Sequence, residues 1–168
     1  MNKPTILVAG IGNIFLGDDG FGSEVARRLM QREWPAEVRV EDFGIRGFDL
    51  AFALLDSPRV AILIDASPRG EQPGTVYKIQ PDLEVLDDLT EPEMSIETHG
   101  MNPLKVLAMV KSMGGNLNQV VFVACEPAEC ATDDMRLSPA VQLAVDEAVS
   151  MVEELVRAEL GSTKTAAA

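Results

Sequence analysis

Carboxylates and one imidazole occur where short apolar segments end. Asp18 and Asp19 follow the apolar segment Thr5–Val8 and a glycine turn. Asp65 ends a second apolar segment, and His99, the one histidine of the chain, comes just before a predicted helix. Carboxylates and an imidazole from three separate loops make a mixed oxygen and nitrogen ligand set that suits a divalent transition metal. These residue types therefore indicate a metal site.

Each of these residues also has a purely structural interpretation. Asp is favoured at helix N-caps, so Asp19 taken alone would simply start the helix that follows. Asp65 stands before Ala-Ser-Pro, and an aspartate at a strand end often organises a turn. A single histidine ahead of a helix, such as His99, is more often a surface or capping residue. The metal-site prediction therefore depends on all three residues reaching the same edge of one sheet.

Apolar periodicity predicts alternating strands and helices that would position these residues. The predicted strands are Thr5–Val8, Val38–Phe43, Arg59–Asp65, Gly74–Ile79 and Asn118–Ala124, and the predicted helices are Gly20–Arg32, Gly47–Leu55, Asn102–Met113 and Pro139–Leu160. The acidic segment Pro81–Thr98 is predicted to be a surface loop, and residues 161–168 a disordered tail.

The alternation of strands and helices predicts one α/β domain over residues 1–160, with a mostly parallel sheet and helices on both faces. The fourth predicted strand, Gly74–Ile79, is expected at a sheet edge. Ligands of open α/β sheets bind at the carboxyl ends of the strands. Asp19, Asp65 and His99 all fall at such ends.

Composition limits the possible functions. The chain has 14 basic and 27 acidic residues and a net charge of −13. This charge disfavours nucleic acid binding, which relies on Lys and Arg to neutralise phosphates. The apolar runs are strand-sized and too short to span a bilayer, and no apolar leader precedes the first strand. With two cysteines, the chain is expected to be cytoplasmic, and a monomer is the simplest assumption.

Several other active-site types fit the sequence poorly. Gly10-Ile11-Gly12 lacks the third glycine of a dinucleotide-binding turn, because Phe15 stands in its place, and two carboxylates make the loop anionic. Cys125 and Cys130 lack the short spacing and extra ligands of a zinc site. Cys125 is predicted to be a buried core thiol. No Gly-x-Ser-x-Gly elbow occurs, so a serine or cysteine nucleophile is not indicated.

Five segments, in the right order, resemble the nickel-iron hydrogenase maturation endopeptidases. Gly12–Gly22 is similar to the opening motif of that family, and Asp42–Leu50 is similar to its second signature. Ile64-Asp65-Ala66 resembles the third motif, and Thr98-His99-Gly100 falls where the family has its histidine. Glu126-Pro127, after the fifth predicted strand, also fits. The resemblance covers roughly residues 5–155.

The resemblance implies a function, a fold and a set of site residues. Members remove a short C-terminal extension from the large-subunit precursor of a hydrogenase after nickel insertion. Their fold is a three-layer arrangement, a twisted, mostly parallel five-stranded sheet between helices. Their metal ligands match Asp19, Asp65 and His99, which are then also the catalytic candidates. The nickel belongs to the substrate, and zinc or another divalent cation could substitute for it.

Two departures from the family pattern affect the predicted site. Asp19 is the shorter acid where some members have Glu, so it keeps an oxygen ligand with less reach. The family's Asp-Gly-Gly-Thr box has become Asp42-Phe43-Gly44-Ile45, followed by Arg46. In the family this loop is associated with substrate selection. Asp42, Gly44, Arg46 and Gly47 are therefore the predicted substrate-recognition residues, for an unidentified hydrogenase.

Two alternative functions remain open at this point. A nickel checkpoint or carrier protein would use the same three residues on the same precursor without cutting it. Peptidyl-tRNA hydrolases also open with a strand and Gly-x-Gly-Asn, but they need a basic surface for tRNA, and the net charge here is −13. Incubation with a nickel-loaded precursor separates the first alternative from a protease, because only a protease shortens the chain.

Overall fold

The computed structural model describes residues 3–88, 101–128 and 135–166. The strands are β1 Ile6–Ile11, β2 Val38–Gly44, β3 Val60–Ala66, β4 Val76–Ile79 and β5 Gln119–Cys125. The α-helices are α1 Phe21–Met30, α2 Gly47–Leu55, α3 Pro103–Ser112 and α4 Pro139–Ala166, and short 3-10 helices span Gly17–Gly20 and Leu83–Asp88. The latter is a helical turn inside the predicted acidic loop.

The five strands form one sheet in the order β2-β1-β3-β5-β4. The pairs β1–β2, β1–β3 and β3–β5 are parallel, and β4 runs antiparallel to β5 at the edge. The predicted α/β fold with a mostly parallel sheet and the edge position of β4 are confirmed. The central strand β3 begins Val-Ala-Ile-Leu-Ile, a continuous apolar run that is typical of a strand covered on both faces.

Helices cover both faces of the sheet. Ile6 and Val8 of β1 point to one face, where α1 and α4 pack, and Leu7 and Ala9 point to the other, where α2 and α3 pack. The predicted apolar face of α1 is buried, and its members are Phe21, Val25 and Leu29. Two hydrophobic cores therefore hold the sheet rigid, so that the loops at its carboxyl edge rest on a fixed base.

A crevice opens between β1 and β3. The chain leaves β1 for β2 on one side and returns to β3 on the other, and open α/β sheets bind ligands at such a reversal of strand order. Gly22, at the start of α1, lies directly over the strand ends. A Cβ atom there would lie 2.1 Å from the Ile64 carbonyl oxygen and 2.2 Å from that of Ile11. Glycine therefore lets α1 approach the site closely.

The predicted disordered tail is wrong over residues 161–166, because α4 continues through Ala166. Arg59 accounts for this extension. Its guanidinium donates to the Glu159 carboxylate at 2.6 Å and to the Thr163 hydroxyl at 2.9 Å, so it spans two turns of the helix. The prediction at residues 167–168 lies outside the described residues. Across the described ranges, no helix is long and apolar enough to cross a membrane.

Candidate functional site

Asp19 lies in the 3-10 helix between β1 and α1 and is exposed to solvent. Its Oδ2 accepts a hydrogen bond from the Asn13 N–H at 2.9 Å. The N-cap of α1 is Gly20, which makes no side-chain capping bond, so Asp19 is not the helix cap. Gly12 allows the loop to fold back, because its φ is +151° and a Cβ there would lie 1.9 Å from the Asp19 carbonyl oxygen.

Asp65 is the penultimate residue of β3, level with Ala124 of β5. Burial raises the pKa of the Asp65 carboxyl well above its ordinary value, and the negative charge of Asp19 raises it further. A hydrogen bond from the backbone of Ala66 opposes both effects. The 3-10 helix that carries Asp19 contacts β3, so both predicted carboxylates belong to the crevice between β1 and β3. A cation placed there would relieve their repulsion.

The third predicted ligand, His99, lies outside the described residues. Within the ranges that the structure describes, no three His, Cys, Asp or Glu side chains lie close enough together to hold a metal ion. The structure thus brings Asp19 and Asp65 together, and the completion of the trio by His99 stays a prediction.

A cavity of about 320 Å³ adjoins Asp65. Its lining is mainly apolar and includes Ile79, Leu104 and Phe122, with Arg69 among its polar members. The cavity is large enough for an amino-acid side chain and connects directly to the candidate site.

The Asp18 carboxylate, unlike that of Asp19, binds donors from distant parts of the chain. Its carboxylate accepts hydrogen bonds from the Ser138 N–H at 2.6 Å, the Ser138 hydroxyl at 2.8 Å and the Ala128 N–H at 2.9 Å. These donors lie after β5 and before α4, far from Asp18 in sequence. Asp18 thereby connects the segments on both sides of residues 129–134 to the loop between β1 and α1 (residues 12–20), which we call the glycine loop.

Asp42, a predicted recognition residue, uses its carboxylate inside the protein. It accepts hydrogen bonds from the Ser23 hydroxyl at 2.7 Å, the Gly44 N–H at 3.0 Å and the Arg27 Nε at 3.1 Å. Gly44 has a φ of +55°, which favours glycine. Asp42 therefore shapes the loop after β2 and joins it to α1.

Arg46, the cation that departs from the family pattern, is held in place by four contacts, one of them an ion pair with Glu41 at 3.8 Å. Its guanidinium donates to the Asp42 carbonyl at 2.6 Å and to Asp49 at 3.0 Å, and it lies 5.8 Å from the centre of the Phe43 ring. Gly47 is buried at the start of α2. Asp42, Gly44 and Arg46 line a cleft of about 300 Å³ that the glycine loop closes on its other side.

Glu126 is a buried acid whose structural role the sequence analysis did not predict. Its carboxylate accepts hydrogen bonds from the Arg69 N–H at 2.7 Å, the Tyr77 hydroxyl at 3.0 Å and the Gly70 N–H at 3.2 Å. Burial alone would raise the pKa of Glu126, but these hydrogen bonds outweigh it and the pKa lies below its ordinary value. Glu126 thus fixes the loop after β3. The available signal was an acid directly after a buried strand.

The cysteines take no part in the described site. Cys125 is fully buried, as predicted, and burial, followed by the nearby charge of Asp18, raises the pKa of its thiol to about 12. A thiol with this pKa is protonated at neutral pH and is a poor nucleophile or ligand. Cys130 lies outside the described residues.

Comparisons with known proteins agree with this architecture. A family model described as hydrogenase maturation protease matches residues 23–155. The hydrogenase expression/formation protein HupD of Rhodobacter capsulatus is 30% identical over 154 residues, which cover 91% of this chain and 71% of that protein.

Two solved structures have the same fold over nearly the whole chain. The hydrogenase maturating endopeptidase HybD of Escherichia coli aligns with a TM-score of 0.72 and 26% identity, covering 92% of this chain and 93% of that one. The hydrogenase 2 maturation peptidase of a Thaumarchaeota archaeon aligns with a TM-score of 0.68 and 30% identity, covering 90% and 97%.

Proposed function

Since this chain belongs to the hydrogenase maturation protease family and is therefore a peptidase, we propose that it removes the C-terminal extension of a nickel-iron hydrogenase large-subunit precursor after nickel insertion. The observation that carries this proposal is geometric: Asp65 lies at the carboxyl end of β3, and the 3-10 helix that carries Asp19 follows the adjacent parallel strand β1 and contacts β3. Two neighbouring carboxylates beside a cavity favour a site for a cation and a peptide.

The nickel in this proposal is part of the substrate. Asp19 and Asp65 supply oxygen ligands and His99 a nitrogen ligand, a set that suits nickel or zinc and leaves coordination positions for the precursor's own ligands. Only a loaded precursor presents a metal cation to the carboxylate pair. The same contacts therefore both select a loaded precursor and place its scissile bond.

Cleavage is proposed to be hydrolysis by an activated water. The oxygen of the water attacks the scissile carbonyl carbon, and a carboxylate of the Asp19–Asp65 pair accepts a proton from it. The carbon–nitrogen bond then breaks, and the nitrogen of the leaving extension takes up a proton. In this scheme the catalytic base is an aspartate, and the substrate's nickel holds the reacting carbonyl in position.

Selection of the precursor is assigned to the loop after β2. Gly44 and Arg46 line the cleft opposite the glycine loop. Asp42, which accepts a hydrogen bond from the Gly44 N–H, and the buried Gly47 hold the loop after β2 in shape. Phe43 and Ile45 replace a glycine and a threonine of the family pattern. Phe43 is buried in the core, but the exposed side chains of Ile45 and Phe15 line the cleft and favour a hydrogenase precursor with a complementary apolar surface.

We also propose that the protein acts in the cytoplasm and that it acts as a monomer. Two cysteines in the chain, one of them the buried free thiol of Cys125, suit a reducing compartment.

The proposal is tested by incubating the protein with a purified nickel-loaded precursor and measuring the precursor mass. Asp65→Ala and His99→Ala are expected to abolish the mass loss while keeping the circular dichroism spectrum of the parent. Asp146→Asn, which removes an exposed carboxylate on α4, is the matched control and should cleave normally. Normal cleavage by both site variants would contradict the assignment of the ligands.

A further inference from the structure

Arg69 differs from the other arginines whose contacts are described. Ion pairs with carboxylates are made by Arg27, Arg28, Arg32, Arg39, Arg46, Arg59 and Arg157. Arg69 makes no ion pair with any carboxylate in residues 3–88, 101–128 or 135–166. In a chain with net charge −13, an arginine without such a partner is unexpected.

The surroundings of Arg69 hold it at the candidate site. Its backbone N–H donates to the buried Glu126 carboxylate at 2.7 Å, which fixes the loop after β3. Its guanidinium lies 5.5 Å from the centre of the Tyr77 ring, and the single Tyr77 hydroxyl proton is shared between the Ser67 carbonyl at 2.6 Å and the Glu126 carboxylate at 3.0 Å. The loop therefore fixes the backbone of Arg69, and the Tyr77 ring provides a cation–π contact for its exposed guanidinium.

Arg69 lines the same cavity as Asp65, yet the two do not form an ion pair. The cavity lining thus combines an acid, an exposed cation and apolar side chains such as Ile79 and Phe122. A peptide segment that enters this cavity beside Asp65 therefore comes within reach of this cation.

We propose that Arg69 is a substrate-binding residue that holds a carboxylate of the precursor's C-terminal extension at the mouth of the Asp65 cavity. This inference rests on the proposed function. The planar guanidinium matches a carboxylate with two parallel hydrogen bonds, and it stays charged at any pH used. The carboxylate is either the α-carboxylate of the precursor or an Asp or Glu side chain within its extension.

Electrostatics explains why such a residue is needed. An acidic extension is repelled by a protein of net charge −13, and the carboxylate pair Asp19–Asp65 adds to that repulsion at the site itself. A single oriented cation beside the pair offsets the repulsion locally. It also gives the extension an anchoring point, because Arg69 is the one basic residue in the described lining of the cavity.

The test is steady-state cleavage of a nickel-loaded precursor by Arg69→Gln, Arg69→Lys and the parent protein. Arg69→Gln is expected to raise KM at least about tenfold with little change in kcat, because a charge-assisted hydrogen-bond pair is lost. Arg69→Lys should recover part of the loss. Arg157→Gln, which removes an exposed arginine on α4, is the matched control and should leave KM unchanged. Thermal melting checks that each variant folds.

Modified precursors then identify the carboxylate. One precursor has Asn or Gln in place of each Asp or Glu of the extension, and a second ends in a C-terminal amide. The modification that removes the true partner should raise KM for the parent protein but not for Arg69→Gln, because the two changes delete the same interaction. An unchanged KM for Arg69→Gln, or fully additive effects with both precursors, would overturn the proposal.

Binding of the synthetic extension peptide is measured in parallel by calorimetry. If the parent cuts no precursor at all, the proposed function fails, and the peptide still reports on Arg69. Binding that is weakened by Arg69→Gln and not by Arg157→Gln supports the inference, and equal binding by all three proteins contradicts it.

Discussion

Asp18 and Asp19 are adjacent in sequence but perform separate tasks. Asp18 accepts three hydrogen bonds from Ala128 and Ser138, whereas Asp19 accepts one from Asn13 and lies near Asp65. The sequence already assigned the metal to Asp19 and a supporting role to Asp18, but the partners that Asp18 supports lie more than a hundred residues away and are not visible in the sequence. Asp18 therefore stabilises the fold, whereas the exposed Asp19 carboxylate can bind a cation.

This difference predicts that Asp18→Asn mainly lowers stability, whereas Asp19→Asn mainly lowers activity. Asp18→Asn is expected to lower the free energy of unfolding by about 2–3 kcal/mol, because its amide presents donors to donors and the charge-assisted bonds weaken. Asp19→Asn should change it by less than about 1 kcal/mol while losing proteolysis. Urea denaturation measures both. Equal stability losses would contradict the division of roles.

Cys125 provides a prediction about reactivity and pH. Its pKa is raised from 9.0 to about 12, so in a Cys130→Ser background the folded protein should resist a thiol reagent at pH 8 and react once unfolded. Between these two values the unfolded thiol has lost its proton and the folded one has kept it. The free energy of unfolding should therefore fall as pH rises from 9 towards 12, and fall less steeply in Cys125→Ala. Rapid labelling of the native protein would contradict the burial.

At the scale of the elements, the sequence predicted most of the fold. All nine predicted strands and helices are present, because each has an apolar pattern of the right period. β1 runs three residues beyond its predicted end at Val8, since Ala9, Gly10 and Ile11 continue its pairing with β2. Local patterns cannot report such pairing, nor the hydrogen bonds of Arg59 that extend α4.

The same limit applies to the candidate site. Strand ends predicted the convergence of Asp19 and Asp65, because parallel strands share a carboxyl edge. The buried contacts of Glu126 and the missing partner of Arg69 depend on the path of the loop after β3. No periodicity encodes that path.

Gly22 tests the close approach of α1 to the strand ends. A Cβ at this position would lie 2.1 Å from the Ile64 carbonyl oxygen, a backbone atom that cannot move aside cheaply. Gly22→Ala is expected to destabilise the protein by about 3 kcal/mol or more and to displace the loop that carries Asp19. Thermal and urea unfolding measure this effect, and a loss below about 1 kcal/mol would contradict the packing.

Gly161 is the matched control and tests the corrected end of α4. It lies inside the helix, and a Cβ there would meet nothing within 4 Å. Gly161→Ala is therefore expected to raise the free energy of unfolding by up to about 1 kcal/mol, through the higher helix propensity of Ala. No change at all would indicate that the helix ends before residue 161.

At the scale of the whole molecule, two hydrophobic cores support the carboxyl edge of the sheet, where the candidate site lies. α1 and α4 cover one face of the sheet and α2 and α3 the other, so both faces are closed and the carboxyl edge carries the cavities. The net charge of −13 extends over this frame and favours a cationic centre in the substrate over an uncharged one. This electrostatic preference is consistent with a protease that cuts a precursor only after it has received its metal.

The most direct test of the account is the dependence of cleavage on nickel in the substrate. The same large-subunit precursor is prepared with and without nickel, and each form is incubated with the protein while its mass is followed over time. We predict loss of the C-terminal extension from the nickel-loaded form and none from the nickel-free form. Equal cleavage of both forms would contradict a site in which Asp19, Asp65 and His99 recognise the metal.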